Sequence, residues 1–260
     1  MLPPGKVAVV TGAGGGGCGR AVAVRLASEG AAVVVSEIDE PGGRETVRRI
    51  EQAGGQAAFV RADVSSAADM RALIAFAEER FGGLDILVNS AGPYWPEALG
   101  HWAETVQANL IGTMYGTLYA IEAMRRRGGG AIVNFGSTSA LGHGRKHSPA
   151  AAYDAAKAGV IHLTTELAWL GGSDRIRVNC LVPDWVATAE VQGYVDSLTP
   201  QQRKDGGVPD VLLTLEQIAD AVLRLATDET LAGRVMVCWC GQPPRLIAAG
   251  DPGYADLVNC

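Results

Sequence analysis

TGAGGGGCGR, residues 11–20, contains six glycines in ten positions and is interrupted by Cys18. It follows KVAVVTG, a short β-branched run, and precedes RAVAVRLASEG, in which Val22 and Leu26 lie on one face of a helix. A glycine loop between a strand and a helix lets the backbone approach a pyrophosphate at the helix N-terminus. We therefore expect a dinucleotide-binding loop here rather than a flexible glycine linker.

A carboxylate stands at the end of the next strand-like run, AAVVVSE, at Glu37. In this position a carboxylate accepts hydrogen bonds from the adenosine ribose hydroxyls and repels a 2′-phosphate. No Lys or Arg follows it before Arg44. The pattern predicts NAD rather than NADP as the cofactor, with helix capping by Glu37 or Asp39 as the alternative interpretation.

Strand-like and helix-like segments alternate along the rest of the chain. Helical patterns span 98–127, with an interruption near Gly112, and also 153–170 and 215–227. The further strand-like runs are AAFVRADVS, LDILVNSAG, AIVNFGS, IRVNCLVP and RVMVCWC. Continuous apolar strands alternating with helices predict an α/β fold, a doubly wound parallel sheet of about seven strands with helices on both faces. We expect residues 1–260 to form a single domain.

The charge of the chain argues against two classes of partner. Its 260 residues carry a net charge of −6 and a pI near 5.3, so no basic field attracts nucleic acid or an anionic membrane. The first residues lack the pattern of a secretory signal, and no apolar run is long enough to span a bilayer. We expect a cytoplasmic protein with a small-molecule substrate.

Five cysteines are scattered along the sequence. An odd number without regular spacing does not indicate a disulfide framework. Cys238 and Cys240 are separated by one residue in a strand-like run, so their side chains should point to opposite faces of the sheet. We expect no metal site and no redox role.

Two long irregular stretches, 136–152 and 184–214, follow predicted strands. Loops at the carboxyl edge of an open α/β sheet bind ligands, so we expect the substrate pocket there, with 184–214 as the substrate loop. Aromatic walls for this pocket are available from Tyr94, Trp95, Trp185 and Tyr194; core or interface packing is the alternative.

The segment 142–151, GHGRKHSPAA, places four polar or basic side chains at the rim of the predicted pocket, namely His143, Arg145, Lys146 and His147. A solvated loop is the simpler interpretation. Recognition of an anionic or polar group of the substrate is the sharper hypothesis.

Five motifs occur in a characteristic order: TGAGGGGCGRA, NSAG at 89–92, IVNFGS at 132–137, YDAAK at 153–157 and RVNCLVP at 177–183. With them the chain resembles the short-chain dehydrogenase/reductase family along nearly its whole length. The resemblance implies a Rossmann-type fold, a nicotinamide cofactor and hydride transfer between an alcohol and a ketone. It also implies a homo-oligomer, commonly a tetramer and otherwise a dimer.

Tyr153 and Lys157 lie four residues apart at a helix start, so both side chains project from one face. An ammonium group beside a phenol favours the phenolate, and we expect Lys157, together with the positively charged nicotinamide, to lower the pKa of Tyr153, the proton-exchanging group. The resemblance also implies that Tyr153 and Lys157 contact the cofactor.

The resemblance supplies two more catalytic candidates. Ser137, at the end of a strand, would hydrogen-bond the substrate oxygen as charge develops. Ser139 is a rival, because the segment from Ser137 to Tyr153 is longer than usual in the family. Asn109, in ANLIG, matches the asparagine that holds a proton-relay water, and a local helix kink or cap is the alternative.

By the same matching, eight further residues are expected to line the cofactor. Two border the adenine, three lie along the cofactor, and the last three belong to its carboxamide end: Asp63 and Val64; Asn89, Ala91 and Gly92; Pro183, Val186 and Thr188. For Asp63 a turn residue is an equal alternative.

The glycine loop departs from the family pattern T-G-x-x-x-G-x-G, because Cys18 occupies the position of the last glycine. One inserted residue restores the register. Gly12, Gly17 and Gly19 then occupy the three glycine positions of the pattern, which are the demanding positions of the phosphate-holding turn. Cys18, beside the cofactor, is then a small packing residue. Other departures are Ser90 for an asparagine, Gly136 for a serine and Asp184 for a glycine, the last placing a carboxylate near the nicotinamide.

Two other functions remain open at this stage. A non-catalytic module that senses NAD on the same fold is disfavoured by the complete Ser-Tyr-Lys set. An epimerase or dehydratase of the extended relatives is disfavoured because 260 residues leave no room for a second substrate domain.

Overall fold

The computed structural model describes residues 2–94, 99–141 and 150–248. Its strands are β1 Val7–Thr11, β2 Ala32–Glu37, β3 Gln56–Arg61, β4 Ile86–Asn89, β5 Gly130–Phe135, β6 Ile176–Pro183, β7 Val235–Cys238 and β8 Arg245–Leu246. They form one sheet in the order β3-β2-β1-β4-β5-β6-β7-β8, parallel except for the antiparallel pair β7 and β8. The predicted α/β fold class is confirmed, and β8 adds a strand that the sequence did not predict.

Helices cover both faces of the sheet. They are α1 Cys18–Ser28, α2 Glu40–Gln52, α3 Ala67–Phe81, α4 Trp102–Val106, α5 Gly112–Arg127, α6 Ala151–Glu166, α7 Leu170–Ser173, α8 Ala189–Ser197, α9 Pro200–Asp205 and α10 Leu215–Thr227. In β1, Ala8 and Val10 pack with α1 and α10, whereas Val7 and Val9 pack with α3 and α5. Because alternate residues of a strand point to opposite faces, this sheet is doubly wound.

Capping explains why α10 spans the predicted 215–227. The Thr214 hydroxyl accepts a hydrogen bond from the Gln217 amide at 3.1 Å, and the Gln217 side chain accepts one from the Thr214 amide at 2.8 Å. This capping box satisfies two backbone donors at the helix start. The predicted helix 153–170 begins earlier and ends earlier, as α6, and is followed by the short α7.

The predicted interruption in 98–127 is a π-helix, Gln107–Ile111, between α4 and α5. Gly112 itself has helical backbone angles. A Cβ at Gly112 would lie 2.9 Å from the carbonyl oxygen of Val64, so close packing accounts for this glycine. The π-helix holds Asn109, one of the candidate site residues, in the interior.

The substrate loop 184–214 is more regular than expected, because it contains α8 and α9. Thr188 and Thr199 cap these helices, each accepting a hydrogen bond from the backbone amide three residues later. Across the described parts of the chain, no helix combines the length and apolar character needed to cross a bilayer.

Candidate active site

A cleft of about 890 Å³ opens at the carboxyl edge of the sheet, beyond the ends of β1, β2, β3 and β4. Its rim is completed by α4, the π-helix and the start of α8. The predicted cofactor residues in its wall are Gly12, Gly17, Glu37, Asp63, Val64, Ala91, Gly92 and Thr188. The cleft therefore brings together these eight predicted residues from five separate stretches of sequence.

Asn89 is placed differently from the expectation that its side chain lines the cofactor. Its amide nitrogen donates to Asn134 Oδ1 at 2.9 Å and to Thr117 Oγ1 at 3.3 Å, in the interior below the cleft. A Cβ at Gly116 would lie 2.4 Å from the Asn89 amide oxygen. The Asn89 side chain thus joins β4 to β5 and α5.

Other predicted cofactor residues lie outside the wall of the cleft. Cys18 is partly buried against the core on the α1 side, and burial raises its thiol pKa to about 11, which fits a packing residue. Val186 is buried and pairs with Leu213. Pro183 ends β6, one residue before Asp184.

Two of the predicted demanding glycines are confirmed by their surroundings. Gly12 has φ +68°, and a Cβ there would lie 2.7 Å from the Ala91 Cα. A Cβ at Gly19 would lie 2.3 Å from the Gly12 carbonyl oxygen. Both contacts bring backbone close to backbone, so neither position accommodates a side chain.

Gly17 is less constrained by neighbouring protein atoms than Gly12 and Gly19. Its φ is −95°, and the nearest atom to an added Cβ is a methyl carbon of Thr188 at an ordinary 3.5 Å. Gly16, with φ +74°, and Gly14, where a Cβ would lie 2.3 Å from the Glu37 Cγ, carry the constraint instead. The longer loop is shaped by its contact with β2 and α2, which motif spacing does not reveal.

Glu37 holds the glycine loop as well as facing the cleft. Its Oε2 accepts the Gly14 amide at 3.1 Å, and its Oε1 accepts the Ile38 amide at 2.8 Å. Asp39, and not Glu37, caps α2, accepting from the Gly42 amide at 3.0 Å. Each oxygen of Glu37 retains a lone pair, so the carboxylate can also accept from ribose hydroxyls.

Sequence reasoning missed Arg20 and Thr46. The Arg20 guanidinium donates to the carbonyls of Gly14 and Gly42 and to Thr46 Oγ1, the last at 2.8 Å. Thr46 Oγ1 in turn donates to the Ala13 carbonyl at 2.6 Å. These bonds fasten the loop to α2. No local sequence signal predicts them, because they join residues that are far apart in the chain.

Ser137 lies near Tyr153 at the end of β5, and the Ser137 hydroxyl acts to lower the pKa of the phenol. Ser139 Oγ lies 2.9 Å from Ser137 Oγ. The influence on the phenol supports Ser137 over its rival. Burial raises the pKa of Tyr153 to about 12, although the hydrogen bond from Ser137 opposes the rise.

Lys157 lies directly below this pair. Its Nζ donates to the Phe135 carbonyl at 2.9 Å and lies 5.4 Å from the centroid of the Tyr153 ring. Burial lowers the pKa of the ammonium group to about 8. The pKa of Tyr153 is shifted upward by the chain's own groups, and burial is the largest cause.

Asn109 is fully buried in the π-helix. Its side-chain nitrogen donates to the main-chain carbonyls of Pro93 at 3.0 Å and Thr105 at 3.1 Å. The main-chain carbonyl of Asn109 accepts a hydrogen bond from Thr113 Oγ1 at 2.9 Å. Gly92 provides space for the Asn109 side chain, because a Cβ there would lie 2.1 Å from Oδ1. Asn109 thus fixes the cleft wall at Gly92 and Pro93.

Asp184, which departs from the family glycine, has both carboxylate oxygens occupied. Oδ1 accepts from Thr138 Oγ1 at 3.1 Å, and Oδ2 accepts from the Cys240 amide at 3.3 Å. The side chain joins the segments that follow β5, β6 and β7. Both oxygens of Asp184 are thus engaged by donors of the protein itself, as in a structural carboxylate.

Three of the four predicted aromatic residues take part in ring contacts. The ring of Tyr94 meets that of Tyr153 edge to face with centroids 5.1 Å apart, and Trp185 stacks on Tyr194 at 6.1 Å. Tyr94 and Tyr194 are 47% and 53% exposed, so these rings are accessible. Trp95 and the predicted basic rim, His143, Arg145, Lys146 and His147, lie outside the described residues.

A family profile described as enoyl-(acyl carrier protein) reductase matches residues 12–238. The short chain dehydrogenase/reductase astE of Aspergillus oryzae is 36% identical over 236 residues, covering 86% of this chain and 88% of the relative. The chain belongs to the short-chain dehydrogenase/reductase family. This assignment makes it an oxidoreductase that binds a nicotinamide cofactor, NAD or NADP.

Two further members of the short-chain dehydrogenase/reductase family extend the comparison. Cis-4-hydroxycyclohexanecarboxylate dehydrogenase of Sinomonas cyclohexanicum is 37% identical over 232 residues, covering 86% of this chain and 90% of the relative. The crystal structure of a Burkholderia xenovorans protein described as a short-chain dehydrogenase/reductase superposes with a TM-score of 0.81 at 34% identity, covering 90% of this chain and 95% of that one.

Proposed function

We propose that this protein interconverts a secondary alcohol and a ketone with NAD(H). The observation that carries the proposal is the clustering of three side chains: Ser137 acts on the Tyr153 phenol, and Lys157 Nζ lies 5.4 Å from the centroid of the Tyr153 ring. Tyr94 follows Pro93 of the cleft wall and touches the Tyr153 ring, so the phenol lies where the cleft ends. A relative that oxidises a hydroxyl on a cyclohexane ring supports the same class of reaction.

The cleft also fits a dinucleotide. Gly12, Gly15 and Gly17 line it just before the N-terminal end of α1, where backbone amides favour a pyrophosphate. Glu37 stands in the same wall with acceptor capacity for ribose hydroxyls, and its charge opposes a 2′-phosphate. These residues support NAD over NADP.

The site residues divide the chemistry among them. When bound, the nicotinamide accepts or supplies the hydride. Tyr153 exchanges the proton of the substrate oxygen, and Ser137 donates a hydrogen bond to that oxygen as charge builds up. Asn109 holds the cleft wall and, as in the family resemblance, is assigned to the proton-relay water.

The pKa of Tyr153 sets a requirement on the direction of reaction. A value of about 12 keeps the phenol protonated at neutral pH, which suits it to donate a proton to a ketone oxygen. For oxidation the phenol has to lose this proton first. We assign Lys157, whose ammonium group lies beside the ring, to stabilising the phenolate and to binding the nicotinamide ribose.

The test is a fluorescence titration with NADH and NADPH, followed by a screen of secondary alcohols and ketones. We expect tighter binding of NADH, turnover by the wild type, and loss of turnover in Tyr153→Phe. Tyr115→Phe, the same change on the surface of α5, is the matched control and should remain active. Retained activity in Tyr153→Phe contradicts the mechanism, and NADPH binding at least tenfold tighter contradicts the cofactor choice.

One outcome would favour the second candidate function. Tight NADH binding without turnover of any alcohol or ketone supports a non-catalytic NAD-sensing module. The intact Ser-Tyr-Lys arrangement is the reason that we rank the enzyme first, because a sensor does not need a positioned proton donor.

We also propose that the protein works as a homo-oligomer, a dimer or a tetramer. Met114 and Leu118, one turn apart on α5, are 42% and 51% exposed, and such apolar positions favour contact with a second copy. Light scattering at micromolar concentration tests this, and a monomer contradicts it. The four described cysteines are free, which is consistent with the cytoplasm as the proposed location.

A further inference from the structure

Tyr153 is carried by the first turn of α6, and no side chain of the N-cap residue secures that turn. The helix begins at Ala151, and its N-cap is Ala150, whose side chain offers no acceptor to the backbone amides of the first turn. Lys157 anchors α6 to Phe135, but it lies one turn further along the helix. The position of the phenol therefore depends on what touches its ring.

One such contact comes from Tyr94. The two rings meet edge to face, with centroids 5.1 Å apart and an interplanar angle of 89°. Ring faces are electronegative and ring edges electropositive, so this geometry is favourable, and a rotation of either ring breaks it. Lys157 Nζ lies 5.4 Å from the centroid of the Tyr153 ring. The ring is therefore in contact with one group on its own helix and with one group outside it.

The main chain beside Tyr94 is itself fixed. Proline restricts φ at Pro93, and the carbonyl of this residue accepts a hydrogen bond from Asn109 Nδ2 at 3.0 Å. Asn109 is fully buried in the π-helix and donates a second bond to the Thr105 carbonyl at 3.1 Å. A Cβ at Gly92 would lie 2.1 Å from Asn109 Oδ1, so the segment packs closely on that side chain. Tyr94 is thus attached to a rigid part of the cleft wall.

A contribution to the hydrophobic core does not account for Tyr94. The residue is 47% exposed, and it belongs to none of the three hydrophobic clusters formed by the described residues. A ring so exposed buries little apolar area, so its loss should cost little stability. Its described ring contact is with Tyr153. The arrangement therefore favours an effect on the phenol rather than on folding.

We propose that Tyr94 is a positioning residue whose ring holds the Tyr153 phenol in the orientation required for proton exchange. Through the Pro93 carbonyl, Asn109 then supports the phenol from the π-helix. This inference rests on the proposed function, since it assumes that Tyr153 exchanges the proton. Because a small misplacement of a catalytic group lowers the rate strongly, the loss of this support should act on kcat and not on substrate binding.

Carbon NMR of isotope-labelled tyrosine rings tests the contact without any substrate. The Tyr153 signals of the full chain are identified by their loss in Tyr153→Phe. In the wild type the ring current of Tyr94 should displace these signals from the positions of free tyrosine. Tyr94→Leu should return them towards those positions, whereas Tyr94→Phe, which keeps the ring, should retain the displacement.

Steady-state kinetics test the consequence, with the alcohol or ketone of the screen that the wild type converts fastest. Tyr94→Leu should lower kcat roughly three- to tenfold, while KM and the NADH dissociation constant stay about the same. Tyr94→Phe should restore kcat. Tyr115→Leu is the matched control and should keep the wild-type kcat. Tyr115 also packs on a tyrosine, with its ring centroid 6.4 Å from that of Tyr119, but it lies on α5.

Unchanged Tyr153 signals in Tyr94→Leu overturn the inference, and so does an unchanged kcat. A rise of KM alone would make Tyr94 a wall of the substrate pocket, and equal losses in Tyr94→Leu and Tyr94→Phe would assign the effect to the hydroxyl; both results contradict positioning by the ring. Far-ultraviolet circular dichroism checks folding, and Tyr94→Met replaces a Tyr94→Leu protein that does not fold. A wild type without turnover counts against the proposed dehydrogenase activity alone, and the NMR comparison then decides the role of Tyr94.

Discussion

Lys157 donates its ammonium hydrogen to the main-chain carbonyl of Phe135 at 2.9 Å, which ties α6 to the last residue of β5. Tyr153 is on α6 and Ser137 follows β5, so this one bond sets the relative position of the two groups that meet at the substrate oxygen. The same burial that makes the bond strong disfavours the charge, and it lowers the pKa of Lys157 to about 8.

Lys157→Met should change stability in a way that depends on pH. Lys157 has a pKa of 10.5 when unfolded and about 8 when folded, so between these values the unfolded chain binds more protons and stability rises with pH. Between pH 7 and pH 10.5 the free energy of unfolding of the wild type should rise by up to about 3 kcal/mol relative to that of the Met variant. Urea unfolding of both proteins across this range measures the difference, and a constant difference contradicts the burial of a charged lysine.

Ser137→Ala and Ser139→Ala form a matched pair of substitutions two residues apart. Only Ser137 reaches the Tyr153 phenol, so its loss should lower kcat by roughly 10²- to 10³-fold, as for a lost oxyanion donor. Ser139→Ala should stay within a fewfold of the wild type. Steady-state kinetics decide between them, and a larger loss in Ser139→Ala would transfer the catalytic role to Ser139.

Alanine substitutions in the glycine loop should separate constrained positions from free ones. Gly19→Ala improves helix propensity, yet its Cβ would meet the Gly12 carbonyl at 2.3 Å, so we expect lower thermal stability and weaker NADH binding. Gly15→Ala, where no atom lies within 4 Å of the new Cβ, is the control for thermal stability only, because Gly15 lines the cleft. A Gly19→Ala protein that melts like this control and binds NADH like the wild type would disprove the close approach.

Glu37→Gln should relax the choice of cofactor. The amide oxygen of glutamine can still accept from the Gly14 amide, so the loop keeps its contact while the repulsion of a 2′-phosphate disappears. We expect the ratio of NADPH to NADH affinity to rise about tenfold. Fluorescence titration measures it, and an unchanged ratio would remove Glu37 from the cofactor assignment.

The sequence predicts elements whose signals are local. Helix α10 matches its predicted range because the capping box of Thr214 and Gln217 lies within four consecutive residues. Tyr153 and Lys157 were found through the YDAAK motif of the family resemblance, and their spacing of four places both on one helix face. Parallel strands that end at one edge of the sheet explain why the cleft opens at that edge.

Features that depend on distant contacts escaped prediction. The constraint on Gly14 and Gly16, rather than Gly17, arises from the packing of the loop against Glu37 and α2. The interior orientation of Asn89 depends on Asn134 in the neighbouring strand. The direction of the pKa shift at Tyr153 depends on burial, which no spacing of residues encodes.

Strand β8 has a consequence for how this protein behaves at high concentration. Its two residues, Arg245 and Leu246, pair with β7, and Arg234 anchors the chain beyond them by donating to the Ile247 carbonyl at 3.0 Å. Without β8 the apolar strand Val235–Cys238 would present unpaired amides and carbonyls that can recruit another chain. A very short edge strand bearing an arginine is a poor template for such pairing, so β8 protects the sheet against aggregation.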